Sequence, residues 1–174
     1  MSEQSGAVSA GPRRSAGILL FRRVDESPDG VQVLLAHTGG PLWARRDLNA
    51  WSIPKGEFND DETPLDAARR EFREELGLPL PAGELHPLGE IIQKNRKVVT
   101  AWALEGALDP AAITPGTFEL EWPPRSGRVL QVPEIDRVEW FAVSDARPRM
   151  FSGQAELLDR LLALIDAMAT SGED

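Results

Sequence analysis

The feature that most constrains this chain is a helix-forming segment that carries three closely spaced glutamates. Thr63 is a typical N-terminal cap for a helix, and Gly77 suits the left-handed position that ends one. Between them, Glu71, Glu74 and Glu75 stand at positions i, i+3 and i+4, so a helix brings their carboxylates within an arc of roughly 100°. The segment therefore predicts a helix that begins at residue 63 or 64, ends at residue 76, and carries an acidic cluster.

Three carboxylates this close together repel one another, at a cost of roughly 0.2–0.5 kcal/mol for each pair in an isolated helix. A hard divalent cation offsets that repulsion, because carboxylate oxygens are its preferred ligands. The alternative interpretation is a solvated acidic face relieved by Arg69, Arg70 and Arg73. A solvated acidic face would explain only the charged residues. The glycines and apolar residues around them also occur at defined positions, and such a face does not require them. The pattern favours a metal-binding site.

The full pattern runs from Gly56 through Glu62 to Arg70-Glu71-Phe72-Arg73-Glu74-Glu75-Leu76-Gly77-Leu78. This segment resembles the Nudix box, with every defining position matched, and the order of elements over residues 15–170 is similar to that of the whole Nudix domain. The resemblance implies an α/β fold, an α/β/α sandwich with a mixed β-sheet between helices. It also implies hydrolysis of a nucleoside diphosphate linked to another moiety, with Mg²⁺ or Mn²⁺ as the cofactor.

The resemblance assigns metal binding to the box glutamates. Glu71, Glu74 and Glu75 are the implied ligands, and the backbone carbonyl of Lys55 or Gly56 is an implied further ligand. Either Glu71 or Glu74 is also a candidate for the base that activates water. The residue types agree with this chemistry, because metal ions neutralise phosphate oxygens and lower the pKa of bound water.

Other glutamates and charged residues of the pattern have different implied roles. Glu62 and Arg70 are expected to form an ion pair that holds loop and helix together, and Gly77 to end the helix. In many Nudix enzymes the base or a further metal ligand is a glutamate on a later loop. Glu134, just before the predicted strand that contains Trp140, is the candidate for that role.

Several cations are candidates for binding substrate phosphates. The stretch Trp51–Gly56 resembles the W-x-x-P-K-G motif of the diadenosine-polyphosphate hydrolase branch, which implies that Lys55 faces the phosphates as a point charge. Lys97 stands where that branch often has a second phosphate-binding lysine. Arg45 and Arg46, in the loop before Trp51, are further candidates.

Aromatic residues and one unusual segment are candidates for recognising the rest of the substrate. Trp43 and Trp122 are candidates for stacking on a base, with packing anchors as the alternative interpretation. His37, at the end of a predicted strand, is interpreted as structural. The Pro- and Gly-rich segment 106–133 departs from a minimal Nudix domain and is expected to shape the substrate pocket.

The rest of the pattern predicts interleaved strands and helices. Strands are expected at residues 16–21, 31–36, 51–53, 88–93, 97–104, 117–122 and 137–143, and a second helix at 154–168. The buried stripe of the glutamate-bearing helix is expected to consist of Leu65, Ala68, Phe72 and Leu76. Because short hairpins join several strands, a mixed sheet is favoured over a purely parallel one.

Length and composition are those of one globular domain. The chain has 174 residues, of which 41% are hydrophobic and 27% charged. We expect a flexible tail over residues 1–14, a domain over 15–170 and a C-terminal tail over 171–174. With no cysteine and two histidines, disulfides, zinc–thiolate sites and multi-histidine zinc sites are excluded.

Charge and hydropathy argue against two classes of partner. A formal net charge of −9 argues against a broad nucleic-acid-binding face. No stretch approaches about 18 apolar residues, so a membrane span is not expected. No signal-peptide pattern occurs in the first residues, so a cytoplasmic location is the expectation.

The sequence thus predicts a Mg²⁺-dependent Nudix hydrolase whose substrate is a dinucleoside polyphosphate such as diadenosine tetraphosphate. The first alternative is a house-cleaning nucleoside triphosphate pyrophosphohydrolase. The second is a nucleotide-binding module without turnover, against which the intact box argues. RNA decapping is disfavoured by the net charge and by the lack of a basic extension. The sequence predicts no oligomeric state.

Overall fold

A computed structural model describes residues 11–172 of the chain. Its elements in chain order are β1 (Arg14–Arg23), β2 (Val31–Thr38), β3 (Trp51–Ser52), β4 (Lys55–Glu57), α1 (Pro64–Leu76), β5 (Leu85–Ile92), β6 (Val98–Glu105), β7 (Thr117–Glu121), β8 (Val129–Pro133), β9 (Ile135–Ala142), α2 (Val143–Arg149) and α3 (Glu156–Ser171). The tails expected over 1–14 and 171–174 lie largely outside the described residues. Where they overlap, they are too long, because Arg14 already belongs to β1 and Ser171 to α3.

Strand β1 is the centre of the main sheet. It pairs in parallel with β6 and antiparallel with β2 and β4. The main path of the sheet is β3-β2-β1-β6-β5, and β9 pairs antiparallel with β2. The predicted mixed sheet is therefore confirmed.

The side chains of β1 alternate between two separate cores. Leu19 packs in one core with Leu161 of α3, whereas Ile18 and Leu20 pack in the other with Phe72 of α1. Both faces of the strand are thus covered, which explains why its sequence is a continuous apolar run rather than an alternating one. Helix α1 lies on one face of the sheet and α2 and α3 lie on the other, so the α/β/α sandwich is confirmed.

Helix α1 begins and ends as its capping residues predict. The Thr63 side chain accepts a hydrogen bond from the Asp66 N–H at 3.2 Å, and Pro64 is the first helical residue. Gly77 has a φ of +66°, and its N–H donates to the carbonyl of Arg73 at 2.8 Å. This left-handed end is one that glycine adopts without strain.

The buried stripe of α1 differs from the prediction at one position. Ala68, Phe72 and Leu76 are buried as expected, but Leu65 is only half-buried and Ala67 is buried instead. Two adjacent small alanines let the helix backbone lie close to the sheet. The buried face of α1 therefore includes Ala67 and is rotated away from Leu65, compared with the face predicted from the large apolar residues.

Three elements were not predicted. Helix α2 has no side-chain cap and contains Pro148, and both features argue against a helix at this place in the sequence. Strand β4 forms the first residues of the box, where a loop was expected. Strand β8 pairs with β7 in a two-stranded hairpin separate from the main sheet, and we call residues 117–133 the arm.

The predicted second helix is confirmed as α3, with its apolar side on the sheet. Leu157, Leu161 and Ile165 are buried, as is Leu158, while Leu164 is only partly buried. No helix within residues 11–172 is long and apolar enough to cross a membrane.

Candidate active site

Pairing between β4 and β1 places the start of the box against α1. Gly56 is the register partner of Ala16, and the carboxylate of Glu71 lies directly over the Gly56 α-carbon. A β-carbon at residue 56 would overlap that carboxylate. Glycine is therefore required here for a close approach of backbone to side chain, rather than for a special backbone angle.

Arg70 joins three of the box glutamates. Its Nε donates to Glu62 Oε2 at 3.0 Å, and its Nη1 donates to Glu71 Oε1 at 2.8 Å and to Glu74 Oε2 at 3.0 Å. Hydrogen bonds from Arg70 hold the pKa of Glu62 below its usual range, and the pKa of Arg70 is raised above its own. The expected Glu62–Arg70 ion pair is present, and the same guanidinium also reduces the repulsion between Glu71 and Glu74.

Glu75 faces the other way, toward the residue that precedes Gly56. Its Oε2 accepts a hydrogen bond from the Lys55 backbone N–H at 3.1 Å. Burial raises the pKa of Glu75, and it also raises the pKa of Glu71. Burial, and after it the charge of Lys97, lowers the pKa of Lys55. Partly desolvated charges of both signs therefore meet at this point.

Glu134, from the segment just before β9, lies in the same cleft as Glu75. A cleft of about 180 Å³ is lined by Ala36, Thr38, Ser52, Ile53, Lys55, Glu75, Glu134, Ile135 and Phe151. The charge of Glu134 also raises the pKa of both Glu71 and Glu75. The backbone of Glu134 is fixed by hydrogen bonds to Gly116 and Gly39, at 2.9 and 3.1 Å. The structure thus brings the late-loop glutamate to the box, as the sequence predicts.

Arg70 and Glu74 also border a more open groove on the outer side of α1. It has a volume of about 750 Å³ and is lined by Asp66, Arg69, Arg70, Arg73, Glu74, Gly77, Leu78 and Pro79. Neither Glu75 nor Glu134 lines it. The smaller cleft is the stronger candidate for the active site, since it gathers residues from five separate segments of the chain.

The two lysines predicted to bind phosphate are neighbours of the cleft. Strand β1 lies between β4 and β6, and Lys97 stands just before β6, with its Nζ 3.4 Å from Glu57 Oε1. Its charge reaches Lys55, whose pKa it helps to lower. Lys55 itself lines the cleft.

The two arginines predicted for the same role are not brought to the glutamates. Arg45 and Arg46 are exposed in the loop after β2, and within residues 11–172 neither forms an ion pair with the box. The guanidinium of Arg46 instead lies 5.1 Å from the ring centre of Trp43. Neither arginine lines the cleft, although both stand close to Trp51 in the sequence.

His37 is structural, as interpreted from its position. It is fully buried, with Nδ1 2.8 Å from Asp136 Oδ1 and Nε2 2.6 Å from the carbonyl of Arg46. It thereby joins the loop after β2 to the residues that follow Glu134. Its ring also contacts that of Trp51 edge to face, at 4.9 Å between ring centres.

Six of the nine cleft residues were not predicted as site residues, and Phe151 and Ser52 are two of them. Phe151 follows α2, which the sequence did not predict, and Ser52 was assigned only to a strand. Of the two tryptophans proposed for stacking, Trp43 contacts Phe151, with ring centres 5.3 Å apart. Trp122 lies on the arm and forms no aromatic pair within the described part of the chain.

The carboxylates are close but are not arranged as a finished metal site. Among residues 11–172, no group of three or more acidic or histidine side chains has the geometry to hold a metal ion as it stands. Glu71 and Glu74 converge on Arg70, whereas Glu75 is directed to the Lys55 N–H. In these hydrogen bonds the three carboxylates do not converge on a single point.

Fold and site together define a class of protein. The family model described as the NUDIX domain matches residues 11–161, and the chain belongs to the Nudix family. The family resemblance of the box is thereby confirmed. Members of this family generally use divalent metal ions.

Curated relatives match the chain over a short stretch. An RNA pyrophosphohydrolase from Pseudomonas putida is 49% identical over 57 aligned positions, and the match covers 29% of this chain and 36% of that protein. The RNA pyrophosphohydrolase of Xanthomonas campestris is 46% identical over 57 residues. The matched region spans about a third of the length of these relatives.

Solved structures share the fold over nearly the whole chain. The Ap4A hydrolase of C. elegans, in a binary complex, has a TM-score of 0.59 and 20% identity, and the match covers 89% of this chain and 98% of that one. The NUDIX domain of Shewanella oneidensis NrtR, complexed with ADP ribose, has a TM-score of 0.58, 14% identity, and 90% coverage of both chains. At these identities the likeness concerns the fold alone.

Proposed function

We propose that this chain is a divalent-metal-dependent pyrophosphohydrolase that cleaves a phosphoanhydride bond in a nucleotide-linked substrate. The observation that carries the proposal is the convergence of Glu75, Glu134 and Lys55 on one cleft, with Glu71 beside it, in a chain of the Nudix family. Carboxylates for a metal and a cation for phosphate are the two requirements of this reaction.

The residues present fit a hard divalent cation, which we take to be Mg²⁺. All the donors are oxygens, and burial raises the pKa of Glu71 and Glu75, so a nearby cation would favour their ionised forms. The Glu71 carboxylate lies against the backbone of Gly56, whose carbonyl we include among the proposed ligands. Glu71, Glu74 and Glu75 would hold the metal, with the Gly56 carbonyl as a further ligand. When bound, the metal neutralises phosphate oxygens and acidifies a water molecule.

Glu134 is the best-placed candidate for the general base. It lines the cleft, whereas Glu71 and Glu74 are each engaged by Arg70. Its backbone is held at both N–H and carbonyl, which positions the carboxylate on one side of the cleft. A carboxylate there can accept the proton of an attacking water molecule. Glu71 and Glu74 remain the alternative bases.

The shape of the site favours a substrate whose phosphates enter the cleft while the rest stays outside. At about 180 Å³, the cleft is smaller than the ~300–1,000 Å³ typical of pockets that enclose a whole small molecule. Lys55 lies within it and Lys97 next to it, so a longer phosphate chain meets more positive charge. A dinucleoside polyphosphate such as diadenosine tetraphosphate fits this arrangement. Arg45 and Arg46 are candidates for contacts farther along such a substrate.

A 5′-triphosphorylated RNA is a second candidate substrate. The sequence argued against RNA by its net charge, but the 49% identity to an RNA pyrophosphohydrolase over 57 residues favours it. An RNA 5′ end also presents phosphates to the cleft and leaves the rest of the molecule outside.

Hydrolysis of a substrate panel at saturating Mg²⁺, with products identified by mass, tests the proposal. The panel is diadenosine tetraphosphate, each common nucleoside triphosphate, and a triphosphorylated RNA. We expect the highest kcat/KM for the dinucleotide, with a nucleoside triphosphate as one product. Preference for monomeric triphosphates with release of pyrophosphate would favour the house-cleaning alternative. Binding of nucleotides without any turnover would refute the enzymatic assignment.

A further inference from the structure

The two lysines at the cleft share one carboxylate. Glu57 Oε1 lies 3.4 Å from Lys97 Nζ. Burial and the charge of Lys97 lower the pKa of Lys55, and the charges of Glu75 and Glu57 oppose this shift. The two lysines are therefore close enough to repel each other, and Glu57 is a countercharge near both of them. Glu57 itself does not line the cleft.

Strand alternation places Glu57 on the same face of the sheet as Lys55. Both residues belong to β4 and are two positions apart, and successive side chains of a strand point to opposite faces. Gly56 between them faces α1, where the Glu71 carboxylate packs against it. The lysine of the cleft and its countercharge thus lie on the opposite face of β4 from the Glu71 carboxylate.

The ion pair between Lys97 and Glu57 spans strand β1. Glu57 is the register partner of Ser15 on β1, and Ser15 is in turn the partner of Val99 on β6, two residues after Lys97. The Lys97 side chain is only 17% exposed, although the three residues before it in the chain are exposed. Arg13, the other cation near Glu57, is 3.8 Å from it and largely exposed. The closer ion pair therefore holds the Lys97 side chain across β1.

We propose that Glu57 is a positioning residue for Lys97, and that it thereby increases the preference of the enzyme for substrates with a long polyphosphate chain. This inference rests on the function proposed above. A lysine with a flexible stem and no countercharge is repelled by a neighbouring cation and extends into solvent. With the Glu57 carboxylate in place, Lys97 stays next to the cleft, where it meets the phosphates that lie beyond Lys55. A nucleoside triphosphate has fewer such phosphates and gains less from Lys97.

A double-mutant cycle on KM tests this positioning role. Glu57→Gln, Lys97→Met and the double variant are assayed with diadenosine tetraphosphate and with ATP at saturating Mg²⁺. We expect Glu57→Gln to raise KM about three- to fivefold for the tetraphosphate and less than twofold for ATP, and to change kcat less than twofold. Because Glu57 acts through Lys97, the double variant should have the same KM as Lys97→Met alone.

Chemical labelling of the free protein gives a second readout, which does not depend on turnover. The rate at which an amine-acylating reagent modifies Lys97 is measured by peptide mass spectrometry. We expect this rate to rise severalfold in Glu57→Gln, because the side chain is released into solvent, whereas the rate at the exposed Lys94 should not change.

The matched control is Glu105→Gln. Glu105 is about as exposed as Glu57, and it forms an ion pair with Arg23 at 3.1 Å, at the other end of β1 and β6. We expect this variant to alter neither the two KM values nor the reactivity of Lys97.

The possible outcomes separate this inference from the proposed function. A lower KM for the tetraphosphate in Glu57→Gln would show that the carboxylate mainly repels substrate. An equal effect of Glu57→Gln with and without Lys97, or an unchanged reactivity of Lys97, would show that Glu57 does not act through this lysine. Each of these results would overturn the inference and leave the proposed function intact. Failure of the wild-type protein to hydrolyse any nucleotide would overturn both.

Discussion

The carboxylate of Glu71 rests on the α-carbon of Gly56, at a distance that leaves no room for a β-carbon. Strand β4 supplies the glycine and helix α1 supplies the glutamate, so the contact joins the two halves of the box. Glycine is therefore needed at position 56 because the Glu71 side chain packs directly against its backbone.

Replacement of this glycine should impair catalysis. In Gly56→Ala the new methyl group displaces the Glu71 carboxylate, and misplacement by about 1 Å costs roughly 100-fold in rate. We expect kcat to fall by that order while the far-ultraviolet circular dichroism spectrum is unchanged. Gly11→Ala is the matched control, since no atom lies within 4 Å of its added carbon. Wild-type kcat in Gly56→Ala would show that the position of Glu71 is not critical.

The Glu62–Arg70 ion pair is expected to act through the order of the loop. Glu62 contacts Arg70 but does not line the cleft. We expect Glu62→Gln to lower kcat/KM by about tenfold or less and to lower the melting temperature with it. Parallel kinetics and thermal melting check this. A kinetic loss as large as that of Glu75→Gln, at unchanged melting temperature, would instead place Glu62 in the catalytic set.

Lysine 55 should distinguish long from short polyphosphates. Lys55 lines the cleft and Lys97 lies close by. A longer phosphate chain should therefore lose more binding energy than a shorter one when the positive charge of Lys55 is removed. We expect Lys55→Ala to reduce kcat/KM more for diadenosine tetraphosphate than for ATP. The exposed Lys94 provides the matched control, Lys94→Ala. An equal reduction of kcat/KM for the two substrates would show that Lys55 does not determine which substrate is preferred.

The prediction of α1 was successful because all its signals are local. Thr63, Pro64 and Gly77 define its ends through contacts within a few residues. Helix α2 has no side-chain cap, and strand β8 is specified by its pairing with β7 rather than by signals of its own. The glutamates proposed as ligands were selected by their spacing and by the resemblance of the box, and Glu134 by its place before β9. Phe151 could not be found, because its position depends on α2 and on the buried Gln154.

Helices α2 and α3 are joined by an ion pair that should appear in the pH dependence of stability. Arg147 Nη2 donates to Asp159 Oδ1 at 2.7 Å, and this hydrogen bond lowers the pKa of Asp159. The pKa of an unperturbed aspartate is about 3.9, and a carboxyl whose pKa is lower in the folded state stabilises the fold at every pH above that value. This stabilisation disappears as the pH falls through the lower pKa of the folded state.

The variant Asp159→Asn should therefore be less stable than the wild type at pH 7, and the difference should vanish near pH 2. Both side chains are substantially exposed, so we expect a loss of only about 0.5 kcal/mol in the free energy of unfolding. Urea denaturation at both pH values measures it. Asp166→Asn on the same helix is the control, since Asp166 forms no ion pair among residues 11–172. A difference that persists at pH 2 would mean that the ion pair is not its origin.

The assignment of the buried carboxylates is tested most directly by turnover of diadenosine tetraphosphate in the wild-type protein and in Glu75→Gln. Both are assayed at saturating Mg²⁺ and again with a chelator, with Glu90→Gln as a control on the exposed part of β5. The account predicts metal-dependent hydrolysis by the wild-type protein and the control, and a fall of kcat by orders of magnitude in Glu75→Gln with the fold intact. Turnover of Glu75→Gln close to that of the wild type, or hydrolysis that survives the chelator, would contradict it.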